Sequence, residues 1–228
     1  MRNPYVELNK KDWIIYSISL IVVIISNFIS GSVDYFNLIA TLLGVTSLIF
    51  IAKGNVWGQI IMVVFCTMYA ITAWGFKYYG EVITYLGMSL PIAIISIFSW
   101  VKNPYEKGKD VVKIRRFTVG EGVVAVLFSA VVTLGFYYVL RAFNTPNLAV
   151  STVSVTTSFL AAYLMFRRIT FYAVEYAVND VVLIVLWVLA SIENLIYLSM
   201  VACFLVFLLN DLYGFVSWRI REKEQGGK

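Results

Sequence analysis

Apolar residues form eight long runs along this 228-residue chain, and most of the polar and charged residues lie between the runs. Each run is long enough to cross a hydrocarbon core of about 30 Å as an α-helix. The first run is placed like a signal peptide, but it lacks a small-residue cleavage site, so we interpret it as a span. The pattern predicts an all-α membrane protein with eight transmembrane helices. These are Trp13–Ser30, Tyr35–Ala52, Val56–Gly75, Val82–Val101, Val119–Leu140, Leu148–Phe166, Ile169–Ala190 and Leu195–Trp218.

The composition indicates the same class of protein. Hydrophobic residues make up 61% of the chain and charged residues only 14%, which excludes a soluble enzyme. The net charge of +5 marks membrane topology, so we expect no nucleic-acid partner. The chain has no histidine, and its two cysteines, Cys66 and Cys203, lie inside apolar runs. We therefore expect neither a disulfide framework nor a Cys/His metal site, and no cofactor.

The lysines and arginines predict the orientation of the helices, because cytoplasmic loops retain positive charge. With eight crossings and a cytoplasmic N-terminus, 16 of the 18 basic residues fall on the cytoplasmic side. Lys77 and Arg141 fall on the other side, together with the acidic Asp34, Glu81 and Glu193. Both termini are therefore predicted to be cytoplasmic. The 16 residues are Arg2, Lys10, Lys11, Lys53, Lys102, Lys107, Lys109, Lys113, Arg115, Arg116, Arg167, Arg168, Arg219, Arg221, Lys223 and Lys228.

A weak internal repeat relates the two halves of the chain. Asn37 aligns with Asn147 at an offset of 110, and the pair Ser99-Trp100 aligns with Ser217-Trp218 at an offset of 118. Four crossings separate the two units, so they start on the same side of the membrane, as in SWEET-type transporters. The predicted organisation is an N-terminal segment with one helix (1–34), a three-helix bundle (35–101), a basic loop with a linker helix (102–146), a parallel three-helix bundle (147–218) and a tail (219–228).

Several membrane activities are excluded by missing residues. The longest polar stretch, Lys102–Thr118, is too short for a nucleotide-binding domain, and no Gly-rich loop ends in Lys-Ser or Lys-Thr, so transport is not ATP-driven within this chain. A rhomboid-like protease would need a histidine, and a retinal protein would need a lysine at mid-depth. We therefore expect no enzyme, and a carrier, a pore or a structural subunit remains.

Polar and aromatic residues at mid-depth are typical of carriers, because an uncompensated polar group in hydrocarbon is costly. At 100° per residue the seventh run places several such groups on one arc, with aliphatic residues opposite. The alternative is that these groups only bond to neighbouring helices. Asp211 in the eighth run is expected to pair with Arg219 or Arg168. The candidate substrate-binding residues are Gln59, Tyr69, Glu175, Tyr176, Asn179, Asp180, Trp187, Asn210 and Tyr213.

Five short motifs occur in order along the chain: Ala52-Lys53-Gly54-Asn55, Trp57-Gly58, Tyr78-Tyr79-Gly80-Glu81, Leu90-Pro91, and the segment 209–214 (LNDLYG) closing on Trp218. With them the chain resembles the PnuC-type vitamin transporters over about residues 37–221. The resemblance implies a SWEET-related fold with a central site between two three-helix bundles. It also implies a homotrimer in the bacterial cytoplasmic membrane and trapping of the substrate by a cytoplasmic kinase.

The resemblance implies nicotinamide riboside as substrate, with thiamine, riboflavin or nucleosides in sister groups. A flat cationic pyridinium stacks on Trp or Tyr, and ribose hydroxyls suit Asn and Gln. Glu175 or Asp180 would balance the positive charge. Thiamine is also a cation, so a thiamine or nucleoside transporter stays open, as does a channel-like or structural subunit. No histidine and no second charged group is expected at mid-depth, which favours facilitated diffusion over proton coupling.

Overall fold

Eight long helices form the structure, a computed structural model that describes residues 3–29, 35–75, 79–106, 110–193 and 195–226. All eight are long and apolar enough to cross a membrane, which confirms the predicted class. Eight residues used in the sequence interpretation lie outside the described ranges: Arg2, Ser30, Asp34, Lys77, Tyr78, Lys107, Lys109 and Lys228. The helices are α1 (Lys10–Ile29), α2 (Tyr35–Ala52), α3 (Val56–Gly75), α4 (Tyr79–Val101), α5 (Val119–Ala142), α6 (Leu148–Phe166), α7 (Tyr172–Glu193) and α8 (Leu198–Gly226).

Three of the predicted spans coincide with the observed helices at both ends, and the others shift at one or both ends. Helix α1 begins at Lys10 because the Asn9 side chain accepts hydrogen bonds from the N–H groups of Lys11 and Asp12, at 2.9 and 3.0 Å. The predicted seventh span begins at Ile169, whereas α7 begins at Tyr172. Arg168 has a φ of +63°, which is not a right-handed helical conformation, so the chain turns here between α6 and α7. Helix α8 continues beyond Trp218 to Gly226, and this last part is rich in charged residues.

Helix α4 contains a single π-helical turn at Tyr85–Ser89. Pro91 follows two residues after this turn. Proline has no backbone N–H to donate, and in a regular α-helix its ring would clash with the carbonyl group four residues earlier. The chain relieves this conflict with a wider turn, in which the N–H of Leu90 bonds to the carbonyl of Tyr85. The extra residue rotates the helix, so that both Tyr85 and Ser89 face the interior cavity described below.

The helices pack in the same order in both halves of the chain. We call α2–α4 the first repeat and α6–α8 the second repeat. In each repeat the first helix packs on the second and the second on the third. Between the repeats, α2 contacts α8 and α4 contacts α6, so the first helix of each repeat lies against the third helix of the other. This exchange is the contact pattern of two parallel repeats related by a pseudo-two-fold axis.

The two copies of the Ser-Trp pair cross-link the repeats. Trp218 donates its indole N–H to the carbonyl of Ile51 at 2.8 Å, and Ser217 donates to Ala52 at 2.7 Å. In the other half, Trp100 donates to Met165 at 3.2 Å, and Ser99 donates to the adjacent Phe166 at 3.1 Å. The acceptors are carbonyls in the last turns of α2 and α6, where helices need outside donors. We call these four contacts the Ser-Trp clasp.

The connection between α4 and α5 lies across the end of the molecule where most of the basic residues cluster, which we call the basic end. Its backbone bonds to both repeats: Val112 N–H to the carbonyl of Gly54, and Arg115 N–H to that of Arg168, each at 2.9 Å. Gly54 (φ +66°) and Arg168 (φ +63°) both adopt the left-handed conformation, so the two turns are equivalent in shape. At the start of α5, Glu121 pairs with Arg167 at 2.5 Å. The connection therefore braces the two repeats together.

Helix α1 stands outside the repeats and packs against α2 and α8. Some of its polar groups bond to the first and second repeats. Tyr16 bonds to Thr46 at 2.9 Å, and Asp12, fully buried, pairs with Lys53 at 2.7 Å. A buried carboxylate needs such a partner, since leaving it unpaired costs several kcal/mol. Helix α1 is therefore held to the repeats by polar contacts as well as by apolar packing.

Candidate substrate-binding cavity

An interior cavity lies between the two repeats and is lined by α2, α3, α4, α6, α7 and α8. The free space measures about 50 Å³, which suffices for one or two water molecules, since a water occupies about 30 Å³ of the liquid. A nucleoside-sized ligand requires the repeats to move apart. The cavity in this structure is therefore smaller than such a ligand, and residues of both repeats line it.

Six aromatic rings contribute to the cavity wall. Phe65 of α3 packs edge-on against Phe207 of α8, with ring centroids 5.7 Å apart. Tyr172 and Tyr176 of α7 lie 6.2 Å apart in the same arrangement, and Tyr85 completes the wall from α4. Aromatic rings prefer such edge-to-face or offset-stacked neighbours, and a flat aromatic ligand can provide a further one. The cavity therefore suits an aromatic guest.

Asn179 is the amide of the cavity, and hydroxyl groups of α6 fix its orientation. Thr157 and Ser158 donate to its carbonyl oxygen at 2.8 and 2.9 Å. Within the described part of the chain the amide nitrogen has no hydrogen-bond partner, although Asn179 is buried and lines the cavity. Because its oxygen is already occupied, the two N–H donors are the groups that remain for a ligand hydroxyl or amide.

Two carboxyl groups meet in the same cavity. Asp180 of α7 and Asp211 of α8 are both buried, and both line the cavity. The ion pair expected between Asp211 and Arg219 or Arg168 is not formed among the described residues, and Arg219 pairs instead with Glu222 at 3.1 Å. No lysine or arginine of the described ranges lines the cavity. The site is acidic and without a positive partner of its own.

Of the nine candidate residues, Tyr176, Asn179 and Asp180 line the cavity. Tyr69 and Trp187 are buried behind it: the Tyr69 ring lies 4.2 Å from that of Tyr85, and its phenol is within interaction range of Trp187 and Glu81. Gln59 is fully buried on α3 and does not line the cavity, and its amide has no hydrogen-bond partner among the described residues. These three belong to the surroundings of the cavity.

The other three candidates face elsewhere. Glu175 lies in a shallow groove beside α5 and α6, because it sits too far round α7 to reach the centre. Asn210 donates to Ser19 of α1 at 2.9 Å, and Tyr213 donates to Asp12 of α1. Both are contacts between helices, the alternative that the sequence left open. Helical periodicity predicts which side of α7 and of α8 is polar. It does not predict which residues of that side are covered by α1.

Several cavity residues were not among the candidates. Asp211 was assigned to the basic end, and Tyr85, Ser89, Ser158 and Tyr172 were not selected. A usable signal existed for some of them. Asp211 follows Asn210 in a motif of the family resemblance, and the hydroxyl-rich stretch 151–158 of α6 aligns with α2 in the repeat. Tyr85 and Ser89 face the cavity because of the π turn, and Pro91 is the only sign of that turn in the sequence.

Six of the eight long apolar helices form two parallel repeats around a cavity with aromatic rings in its wall, an architecture that SWEET-like membrane carriers use. The comparison with known families is specific. A family described as "Nicotinamide mononucleotide transporter" matches residues 34–220, and the chain belongs to that family. It is therefore a transporter and not an enzyme.

Two relatives and a solved structure agree with this assignment. The chain is 24% identical over 194 residues to the nicotinamide riboside transporter PnuC of Neisseria mucosa, covering 83% of this chain and 74% of that protein. It is 25% identical over 182 residues to PnuC of Haemophilus influenzae, covering 79% and 77%. The fold is that of a crystal structure of the vitamin B3 transporter PnuC, with a TM-score of 0.83 at 20% identity over 96% of this chain and 94% of that one.

Proposed function

We propose that this protein carries nicotinamide riboside across the membrane through the cavity between its repeats. The observation that carries the proposal is the chemistry of that cavity: aromatic walls, one oriented amide and two carboxyl groups, with no cation from the described residues lining it. Nicotinamide riboside offers a flat cationic ring for the aromatic walls and carboxyl groups, and hydroxyls for the Asn179 amide. The names of the two relatives point to the same substrate.

The same chemistry favours the riboside over its phosphorylated form. A phosphate group needs Arg, Lys or a helix N-terminus, whereas this cavity presents Asp180 and Asp211. A phosphate beside a buried carboxylate would add repulsion to the cost of leaving water. We infer that the cavity accepts the riboside and rejects nicotinamide mononucleotide, in spite of the family's description.

Transport requires the closed cavity to open to each side in turn. We propose that residues 35–101 and 147–218 rock against each other as two bodies, with residues 102–146 as the connecting segment and residues 1–34 and 219–228 at the periphery. The exchange of first and third helices between the repeats supports such a movement, because the cavity lies on their shared boundary.

We further propose facilitated diffusion across the bacterial cytoplasmic membrane, with both termini in the cytoplasm. The clustering of basic residues at one end of the helices supports this orientation. A cytoplasmic kinase that phosphorylates the riboside would keep its free concentration low and would produce a form that the cavity rejects. Assembly as a homotrimer stays a prediction from the family resemblance.

The Asn179→Ala variant is expected to bind nicotinamide riboside more weakly by about 1 to 3 kcal/mol, because a buried ligand group then lacks its partner. Asn210→Ala is the matched control. It removes an asparagine that bonds to Ser19 of α1, outside the cavity, so affinity should stay unchanged while thermal stability falls. Calorimetric titration of both purified variants measures the difference. Equal losses of affinity would place Asn210 in the site or remove Asn179 from it.

Cys66 provides a direct probe of the cavity. It is fully buried and lines the cavity, whereas Cys203 is buried without lining it. In a Cys203→Ser variant, saturating nicotinamide riboside should slow the modification of Cys66 by a small methanethiosulfonate reagent at least several-fold. In the Cys66→Ser variant the vitamin should not protect Cys203. Protection of Cys203 alone would put the substrate elsewhere.

The function itself is tested by equilibrium binding of nicotinamide riboside, thiamine, riboflavin and thymidine to the purified protein. Nicotinamide riboside is expected to bind most tightly. In proteoliposomes without kinase, ATP or imposed gradients, uptake should stop at equal internal and external concentrations. Tighter binding of thiamine would change the substrate, and flux that does not saturate with concentration would indicate a channel.

A further inference from the structure

A second, larger space lies at the basic end, in a cleft between α1 and α8. It measures about 700 Å³ and shares no lining residue with the interior cavity. Four basic side chains and one acidic side chain line it: Lys10 and Lys11 of α1, Lys53 of the turn after α2, and Arg221 and Glu224 of α8. The cleft is therefore a candidate site that the transport cavity does not account for.

The inner polar groups of the cleft already have partners within the protein. Lys53 is only 6% exposed and pairs with Asp12 at 2.7 Å. Tyr213 donates to the same carboxylate, and Ser217 donates to the carbonyl of Ala52. These groups form a neutral inner wall and leave little capacity to bind a charged ligand.

The rim of the cleft, which we define as Lys10, Lys11 and Arg221, differs from the inner wall. Within the described part of the chain, none of these three side chains takes part in a hydrogen bond or an ion pair. The N–H groups at the start of α1 are occupied by the Asn9 side chain, so the rim side chains are the donors that remain. They favour an anionic ligand.

Nearby acidic residues do not cancel the charge of the rim. Glu7 accepts a hydrogen bond from Asn55 at 2.9 Å, and Glu222 pairs with Arg219 at 3.1 Å. Neither of these acids lines the cleft, so Glu224 is the carboxylate that the described residues contribute to it. Positive charge is therefore in excess at the rim.

Apolar side chains continue from the cleft along both helices toward the middle of the membrane. On α8, Val216 and Ile220 line the cleft and are exposed, and Leu212 is exposed one turn further in. On α1, Ile14 and Ile18 are exposed one and two turns beyond the rim lysines. A ligand of the cleft thus meets positive charge at one end and exposed hydrocarbon surface beyond it.

We propose that this cleft binds one anionic phospholipid. The phosphate group lies at the rim, and the acyl chains lie along the exposed apolar residues of α1 and α8. The basic end is where the apolar spans stop, which is the headgroup layer of a bilayer, and anionic lipids are attracted to basic residues next to a span. A soluble phosphate or an acidic peptide would leave the apolar residues uncovered.

The bound lipid would join α1 to the second repeat from the membrane side. It adds to the buried contact between Tyr213 and Asp12, which already connects the two helices. The inference concerns this cleft alone and does not depend on which substrate the interior cavity takes, so its test needs no vitamin.

Thermal unfolding of the delipidated protein in a neutral detergent, titrated with dioleoylphosphatidylglycerol, measures the binding. Saturating lipid is expected to raise the melting temperature by about 3 °C or more, because a ligand of the folded state stabilises it. Two comparison ligands should each shift it by less than about 1 °C. Dioleoylphosphatidylcholine has the same chains without net charge, and glycerol 1-phosphate has a phosphate without chains.

The comparison ligands also define the results that would contradict the proposal. An equal shift with phosphatidylcholine would mean that the rim charges play no part. An equal shift with glycerol 1-phosphate would make the cleft a site for soluble phosphates and not for a lipid. Absence of a shift with phosphatidylglycerol would overturn the site outright.

Variants locate the lipid. Lys10→Gln/Lys11→Gln removes two of the three rim cations and should weaken the binding of phosphatidylglycerol about tenfold or more. Lys102→Gln/Lys113→Gln is the matched control, because both lysines are exposed at the same end and do not line the cleft. Its affinity should stay within about twofold of the wild type. Equal losses in both double variants would indicate general attraction to charge and no specific site.

Glu224→Gln tests the site in the opposite direction. It removes the carboxylate that lines the cleft, so phosphatidylglycerol should bind about threefold more tightly, a gain that partial unfolding cannot produce. Arg221→Gln, one helical turn earlier on α8, should weaken binding about threefold or more. Unchanged affinity in both of these variants would place the lipid on another surface.

Discussion

Nicotinamide mononucleotide is expected to bind at least a hundredfold more weakly than nicotinamide riboside. The two molecules differ by one phosphate group, and the cavity meets that group with Asp180 and Asp211 and with no basic side chain from the described residues. Desolvating a phosphate without a cationic partner costs several kcal/mol, and each 1.4 kcal/mol is a factor of ten in affinity. Competition between the two compounds for the purified protein measures the ratio directly.

The cause of this discrimination is tested on the carboxyl pair. Asp180→Asn/Asp211→Asn removes the repulsion between the carboxyl groups and the phosphate but adds no cation. The ratio of the affinities for riboside and nucleotide should therefore fall by about tenfold or more. Glu175→Gln is the control, because Glu175 lies outside the cavity and its change should leave the affinity ratio unchanged. Asp12→Asn is less suitable, because it breaks the buried ion pair with Lys53. Comparable affinities for nucleotide and riboside in the wild type would contradict the substrate that we propose.

Trp218→Ala is expected to lower the free energy of unfolding by about 3 to 5 kcal/mol, the range found when a large buried side chain is truncated. The Trp218 ring is fully buried, lies 4.7 Å from the Tyr172 ring, and donates to the carbonyl of Ile51 in the other repeat. Trp100→Ala should behave alike, since it is the equivalent residue of the Ser-Trp clasp. Unfolding in detergent, followed by temperature or denaturant, measures both losses.

The matched control is Trp74→Ala. Trp74 is also a tryptophan of a membrane helix, but 63% of its surface is exposed, so its loss should change stability by less than about 1 kcal/mol. Trp218→Phe should lie between, because it keeps an aromatic ring and removes the hydrogen bond. A destabilisation by Trp74→Ala equal to that by Trp218→Ala would mean that the clasp does not hold the repeats together.

Much of the fold follows from the sequence. The eight spans and several boundaries follow from hydropathy alone, because the bilayer imposes one length and one secondary structure on every crossing segment. The repeat was visible in Ser99-Trp100 and Ser217-Trp218, since both pairs have the same role at the ends of equivalent helices. Periodicity also indicated a polar arc on α7, from which Tyr176, Asn179 and Asp180 reach the cavity.

Tertiary packing decided which polar residues face the cavity. Asn210 and Asp211 are neighbours in the sequence and about 100° apart on α8, yet α1 covers the first and the cavity receives the second. Periodicity measures angles around one helix and contains no information on which neighbour occupies which angle. The sequence by itself therefore determined the class, the spans and the repeat, whereas Asp180 and Asp211 share the cavity only because the packing of α7 against α8 brings both side chains to its wall.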